Sequence, residues 1–206
     1  MILSTQSIGT LTMLSLSKPA LAARFVIAAG LRRDVLWSLL LLVSIANATL
    51  VWMSNALTGP TPEQLAQMPI HLPAIIFSPL FAFVFLAAAL VLTVHVLHWL
   101  GGAIGGTGSL DNMLAVLVWL QGLRVMAQVV LLILMLAMPS LAGLFGLAVA
   151  ILSLWILVHF VNEATGLGSV FKTVGVLLSA MVGIILGLSF ILSITGLATM
   201  GIDANV

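Results

Sequence analysis

The stretch 95–112, HVLHWLGGAIGGTGSLDN, stands between two long apolar runs, and its reading decides the fold. Its glycines, Gly101, Gly102, Gly105, Gly106 and Gly108, invite two interpretations. A phosphate loop would follow a strand and require an α/β fold. A helical hairpin would use the same glycines to join two membrane spans. The residues exclude the first. Gly101 and Gly106 have P-loop spacing, but Thr107 and Gly108 stand where Lys and Ser/Thr are needed, and G-x-G-x-x-G does not occur. Glycine also ends helices in the left-handed conformation and turns the chain sharply. Ser109 or Asp111 can cap the helix that follows. The stretch therefore predicts a helix end, a glycine turn and a capped restart.

The rest of the chain supports this. Of 206 residues, 63% are apolar and 5% charged; a soluble domain carries about 25% charged residues. Mean hydropathy is +1.35. Such a chain cannot cover a water-facing surface and belongs in a bilayer. A net charge of +1 supplies no basic field for nucleic acid. The absence of cysteine excludes disulfides, thiolate catalysis and Cys-ligated metals. A spanning helix needs about 20 mostly apolar residues. Five segments qualify, at about 35–57, 75–100, 113–137, 141–161 and 174–197. The expected fold is all-α, a polytopic bundle of five transmembrane helices with no cofactor. The third and fourth spans are separated only by Met138, Pro139 and Ser140, a tight hairpin, because Pro disrupts a helix interior but suits its first turn.

Lys18, Arg24, Arg32 and Arg33 precede the first span, and Lys172 lies between the fourth and fifth. The positive-inside rule puts the N-terminus in the cytoplasm and, after five crossings, the C-terminus outside. Residues 17–34 read as an interfacial helix, with Leu21, Phe25 and Ala28 or Ala29 on one face and Arg24, Arg32 and Arg33 at lipid head groups. Residues 1–16 read as a flexible segment and 199–206 as a tail. Ala20, Leu21 and Ala22 have the form of a leader-cleavage site. The residues before them lack a positive start and a continuous apolar run, so no cleavage is expected. The polar loop after the first span is expected to hold one helical turn, at 63–67.

Three constellations could carry chemistry. His95 and His98 share a helix face, as do His159 and Glu163. Both pairs fall at the cytoplasmic ends of spans, so the four could meet as metal ligands with Asp111 nearby. The preferred reading is structural: helix-end histidines bonding carbonyls near the negative end of a helix dipole. Arg124 lies about twelve residues into the third span, about 18 Å deep. Gln121 and Gln128 extend it into a polar stripe that should face protein or a wet cavity. Arg124 could also snorkel toward Glu163. Finally, Gly175, Ser179, Gly183 and Gly187 recur every four residues, as do Ala142, Gly146 and Ala150. Small residues allow close helix contact, expected here within the bundle, with a homo-oligomer as the alternative.

The order of these features resembles the Yip domain family, the Ypt/Rab-interacting membrane proteins, and more closely its short bacterial relatives. The resemblance rests on H-x-x-x-x-x-G-G (His95 to Gly102), G-x-G-S (Gly106 to Ser109) and Trp-Leu-Gln (Trp119 to Gln121). W-x-x-x-H-F-x-x-E (Trp155 to Glu163) and the Gly-Ser loop from Gly166 to Ser169 complete it, so that it covers about 17–198. It implies a five-helix bundle with a cytoplasmic N-terminus, in a bacterial inner membrane. Eukaryotic members work in vesicle trafficking and bind small GTPases through a longer N-terminal region, so for a short chain the resemblance implies fold and place rather than an activity. Arg124 departs from it. The function expected is that of a non-enzymatic membrane protein that binds a protein partner or organises lipid. The alternatives are a small-solute or ion transporter using Gln121, Arg124 and Gln128, and a metal-binding protein using His95, His98, His159 and Glu163.

Overall fold

The computed structural model describes residues 5–59, 61, 64 and 78–194. It is all-α. The elements are α1 (Thr5–Ser17), α2 (Pro19–Ala28), α3 (Arg33–Thr58), α4 (Pro79–Ala103), α5 (Leu110–Ala137), α6 (Pro139–Thr165) and α7 (Val170–Ile194). Helices α3 to α7 are long and apolar enough to cross a membrane. They correspond to the five segments expected from the sequence.

Local chemistry sets the boundaries. Ser78 and Ser109 cap α4 and α5, each hydroxyl accepting the N–H three residues on. Pro79 and Pro139 open α4 and α6. Met138 alone separates α5 from α6. Thr61 and Gln64 exchange backbone-to-side-chain bonds of 2.8 and 3.4 Å, the reciprocal pattern of a capping box. The remainder of the turn expected at 63–67, and the tail at 199–206, lie outside the described residues.

Two expectations near the N-terminus are corrected. Residues 5–17, read as part of a flexible segment, form α1, whose Leu11 and Leu14 pack on the core. Its Ser- and Thr-rich sequence has weak helix propensity, so tertiary packing decides its state. Residues 17–34 do not form one interfacial helix. Gly30, at φ +56°, ends α2, and α3 starts at Arg33. Ala22, Ala23 and Val26 of α2 are buried, while Leu21 and Phe25 face outward.

Helix α3 packs on α4 and α5, α5 on α6, and α7 on α4 and α6. Helix α2 lies across α6 and α5, with α1 resting on α2. The buried side chains gather at one end of the bundle. They include Leu36 at the start of α3, Leu97 near the end of α4, Leu114 at the start of α5, Phe160 near the end of α6 and Val176 early in α7. The basic residues other than Arg124 occupy this same end. Toward the other end, Leu80, Leu144, Leu186 and Phe190 are exposed. In a bilayer such faces need no burial in protein, because lipid tails are as apolar as the side chains.

Candidate functional site

The glycine turn forms the centre of the buried end. Gly105, at φ +95°, ends α4; its N–H bonds Gly102 O at 3.1 Å, and the N–H of Gly106 bonds Gly101 O at 2.9 Å. These are the paired bonds of a Schellman motif, which satisfies the last carbonyls of a helix. The turn then docks on the end of α6. The Gly108 N–H bonds Thr165 O at 3.0 Å. A Cβ on Gly101 would stand 2.6 Å from Thr165 Cγ2, one on Gly106 would stand 2.7 Å from Thr165 O, and one on Gly108 would overlap the Ala164 carbonyl. Close approach of backbone to backbone thus requires glycine at 106 and 108. Gly102 has open space around its position, as does Gly105, whose need is conformational.

Asn162 organises the neighbouring loop. Its Oδ1 accepts from Ser169 N and from Thr173 Oγ1, both at 3.0 Å. Thr173 is fully buried. Sequence reasoning missed this residue, although Asn one turn before a helix end was a usable signal.

Ion pairs lock α2 and α3 onto the same end. Arg24 grips Glu163 with two bonds, Nε to Oε2 at 2.8 Å and a terminal nitrogen to Oε1 at 3.0 Å. Their side chains are 68% and 17% exposed, so the pair sits at the rim. Glu163 raises the Arg24 pKa, mainly through the hydrogen bond and then through its charge. Arg33 bonds Asp111 at 2.6 Å, and Arg32 bonds Asp34 at 3.0 Å. Each of the three arginines expected at lipid head groups thus also reaches a carboxylate of the chain itself. Ser109 is the cap of α5, which leaves Asp111 free for Arg33.

The proposed metal set does not assemble. His95 Nδ1 lies 2.8 Å from Val91 O, with its ring stacked on Trp37 at 6.1 Å. His159 Nδ1 lies 2.8 Å from Trp155 O, and its ring meets Trp155 edge-on at 5.1 Å. A nitrogen facing a carbonyl must carry the proton, so each ring is committed to its own helix. His98 lines a separate groove of about 440 Å³ with Trp99 and the glycine turn. Glu163 belongs to Arg24, which also removes it as a partner for Arg124. Among the described residues, no three His, Asp or Glu side chains could hold a metal ion.

The stripe on α5 is only partly enclosed. Gln121 and Gln128 are half-buried and Arg124 is exposed. Arg124 makes no hydrogen bond or ion pair with another described residue. Gln128 lines a cleft of about 240 Å³ between α3 and α5, with Ser54 and Asn55 opposite, and its buried Oε1 has no partner among the described residues. The small-residue stripes divide. Ala142 is buried and a Cβ on Gly146 would stand 3.6 Å from Leu131 Cδ1 of α5, but Ala150 is exposed. Among the described residues, a Cβ on Gly175, Gly183 or Gly187 would meet nothing within 4 Å, and Ser179 is exposed. Packing of that last stripe within the bundle is therefore corrected: α7 turns Val176 and Ala180 inward instead.

A family model described as the Yip1 domain matches residues 13–198. No curated protein matches the chain, and no solved structure does.

Proposed function

The chain belongs to the Yip1 domain family, and from that premise we propose that it is a non-enzymatic integral membrane protein that binds a protein partner or organises the membrane through its buried, basic end. One observation carries this reading. At that end Arg24 pairs with Glu163, Arg33 with Asp111, and Asn162 with Ser169 and Thr173. They build a rigid platform rather than a reactive centre. Exposed apolar side chains remain on it, with Phe171 91% and Ile104 45% exposed. We place the platform in the cytoplasm by the positive-inside rule, in a bacterial inner membrane. The bare stripe on α7 is available to a second copy of the chain.

Native mass spectrometry of tagged protein drawn gently from its own membranes tests this reading. A stoichiometric protein partner, lost on Phe171→Ser, is the expected result. A lone chain that carries a solute would overturn it. A second reading, passage of a small solute past Gln121, Arg124 and Gln128, has the cleft between α3 and α5 in its favour. It requires solute flux in liposomes that Arg124→Gln abolishes.

A further inference from the structure

Among the described residues, the pairing of charges leaves one cation without an anion inside the membrane. All six basic residues are described. Arg24, Arg32 and Arg33 engage Glu163, Asp34 and Asp111, which are the described acids of the helices. Lys18, Lys172 and Arg124 remain. The two lysines stand at helix starts at the basic end, where water and head groups supply counterions. Arg124 stands within α5, between apolar turns. A charge at the centre of a span costs at least about 2.5 kcal/mol on insertion scales, and exposure leaves this one uncompensated by protein.

Depth points to the counterion. Arg124 precedes Ala137, the last residue of α5, by a rise of about 20 Å at 1.5 Å per residue. The hydrocarbon layer is about 30 Å thick. With Ala137 at the far boundary, Arg124 lies about 10 Å inside the boundary at the basic end. That is shallower than the about 18 Å counted from the start of the span, because the 28-residue α5 is longer than the layer is thick. A helical side chain leans toward its own N-terminus, which here is that same end. A long cationic side chain then brings its head toward the polar layer. Gln121, one turn nearer that layer on the same face, adds an amide donor.

We propose that Arg124, assisted by Gln121, holds the phosphate of an anionic phospholipid from the leaflet at the basic end. A planar guanidinium matches phosphate geometry with two donors. A second copy of the chain is the weaker candidate, because each acid on its described helices already has an arginine. This site goes beyond the partner-binding reading and does not depend on it.

The test is native mass spectrometry of the full chain in mild detergent, with added phosphatidylglycerol or phosphatidylcholine. The wild type should retain the first phosphatidylglycerol about fivefold better than phosphatidylcholine, the scale of one basic contact near a membrane surface. Arg124→Gln should abolish that preference while circular dichroism and elution stay unchanged. Arg124→Lys should keep part of it, and Lys18→Gln with Lys172→Gln should keep all of it. No preference in the wild type overturns the site, whatever the variants do. So does an equal preference in Arg124→Gln, displacement of the lipid by inorganic phosphate, or a bound protein that Arg124→Gln releases in place of lipid.

Discussion

At Gly108 the chain has no room for a single methyl group, whereas at Gly102, six residues earlier, it has ample room. The two substitutions to alanine should therefore separate sharply. Gly108→Ala forces the turn off α6 and should cost about 3 kcal/mol or more, the upper range for overpacking. Gly102→Ala should be neutral or stabilising by up to about 1 kcal/mol, since alanine favours the helix. Melting in detergent, followed by tryptophan fluorescence, reads the difference; equal melting would mean that the turn is not docked. A buried hydroxyl offers a second check. Ser15, at 0% exposure, accepts the Trp119 indole N–H at 3.0 Å. Ser15→Ala leaves that donor unsatisfied and should cost about 1–3 kcal/mol. The sequence showed that glycines were needed for a turn. It did not show which of them face backbone, because that depends on α6, more than fifty residues later.

Among the elements, α2 is the one whose role changed most between sequence and structure. Its three small buried positions fit against α6 and α5, and Arg24 fastens the rim. Arg24→Gln should raise amide exchange across 19–28 while leaving α5 protected, as measured by hydrogen–deuterium exchange. A uniform change across all helices would contradict this local role. Glu163 raises the pKa of Arg24. A raised cation contributes fully below its unfolded pKa and loses that contribution only as pH rises through the folded one. Both lie far above neutrality, so exchange in α2 should not respond to Arg24 titration between about pH 6 and 10. Chelators should leave melting unchanged, since the histidines bond their own helices. Spacing put His95 beside His98 and His159 beside Glu163. It could not say that the chosen rotamers turn His95 toward Trp37 and His159 toward Trp155.

For the whole molecule, the proposed orientation has a direct test, because the chain contains no cysteine. Single-cysteine variants at Ser169 and Thr61 should differ in labelling by a membrane-impermeant maleimide in intact cells. Thr61→Cys should label from outside, and Ser169→Cys only after the membrane is opened. The reverse pattern would invert the proposed topology. The uneven burial also has a physical reading. Apolar helices in lipid gain little by burying apolar surface against one another. Hydrogen bonds, ion pairs and close backbone packing hold helices together instead, and here they gather at the basic end. The faces toward the other end remain for lipid or a partner.

The sequence by itself determined the five spans, the hairpin at Pro139, the glycine turn and the family, because hydropathy, helix-breaking residues and caps act locally along the chain. Tertiary structure alone decided that α1 folds, that Arg24 and Arg33 clasp Glu163 and Asp111, that the histidines stay apart and that, among the described residues, the α7 glycines are bare and Arg124 has no partner. Each of those outcomes depends on which faces of distant helices meet. In a chain so uniformly apolar, hydropathy has little power to tell one face from another, and the few polar contacts make the choice.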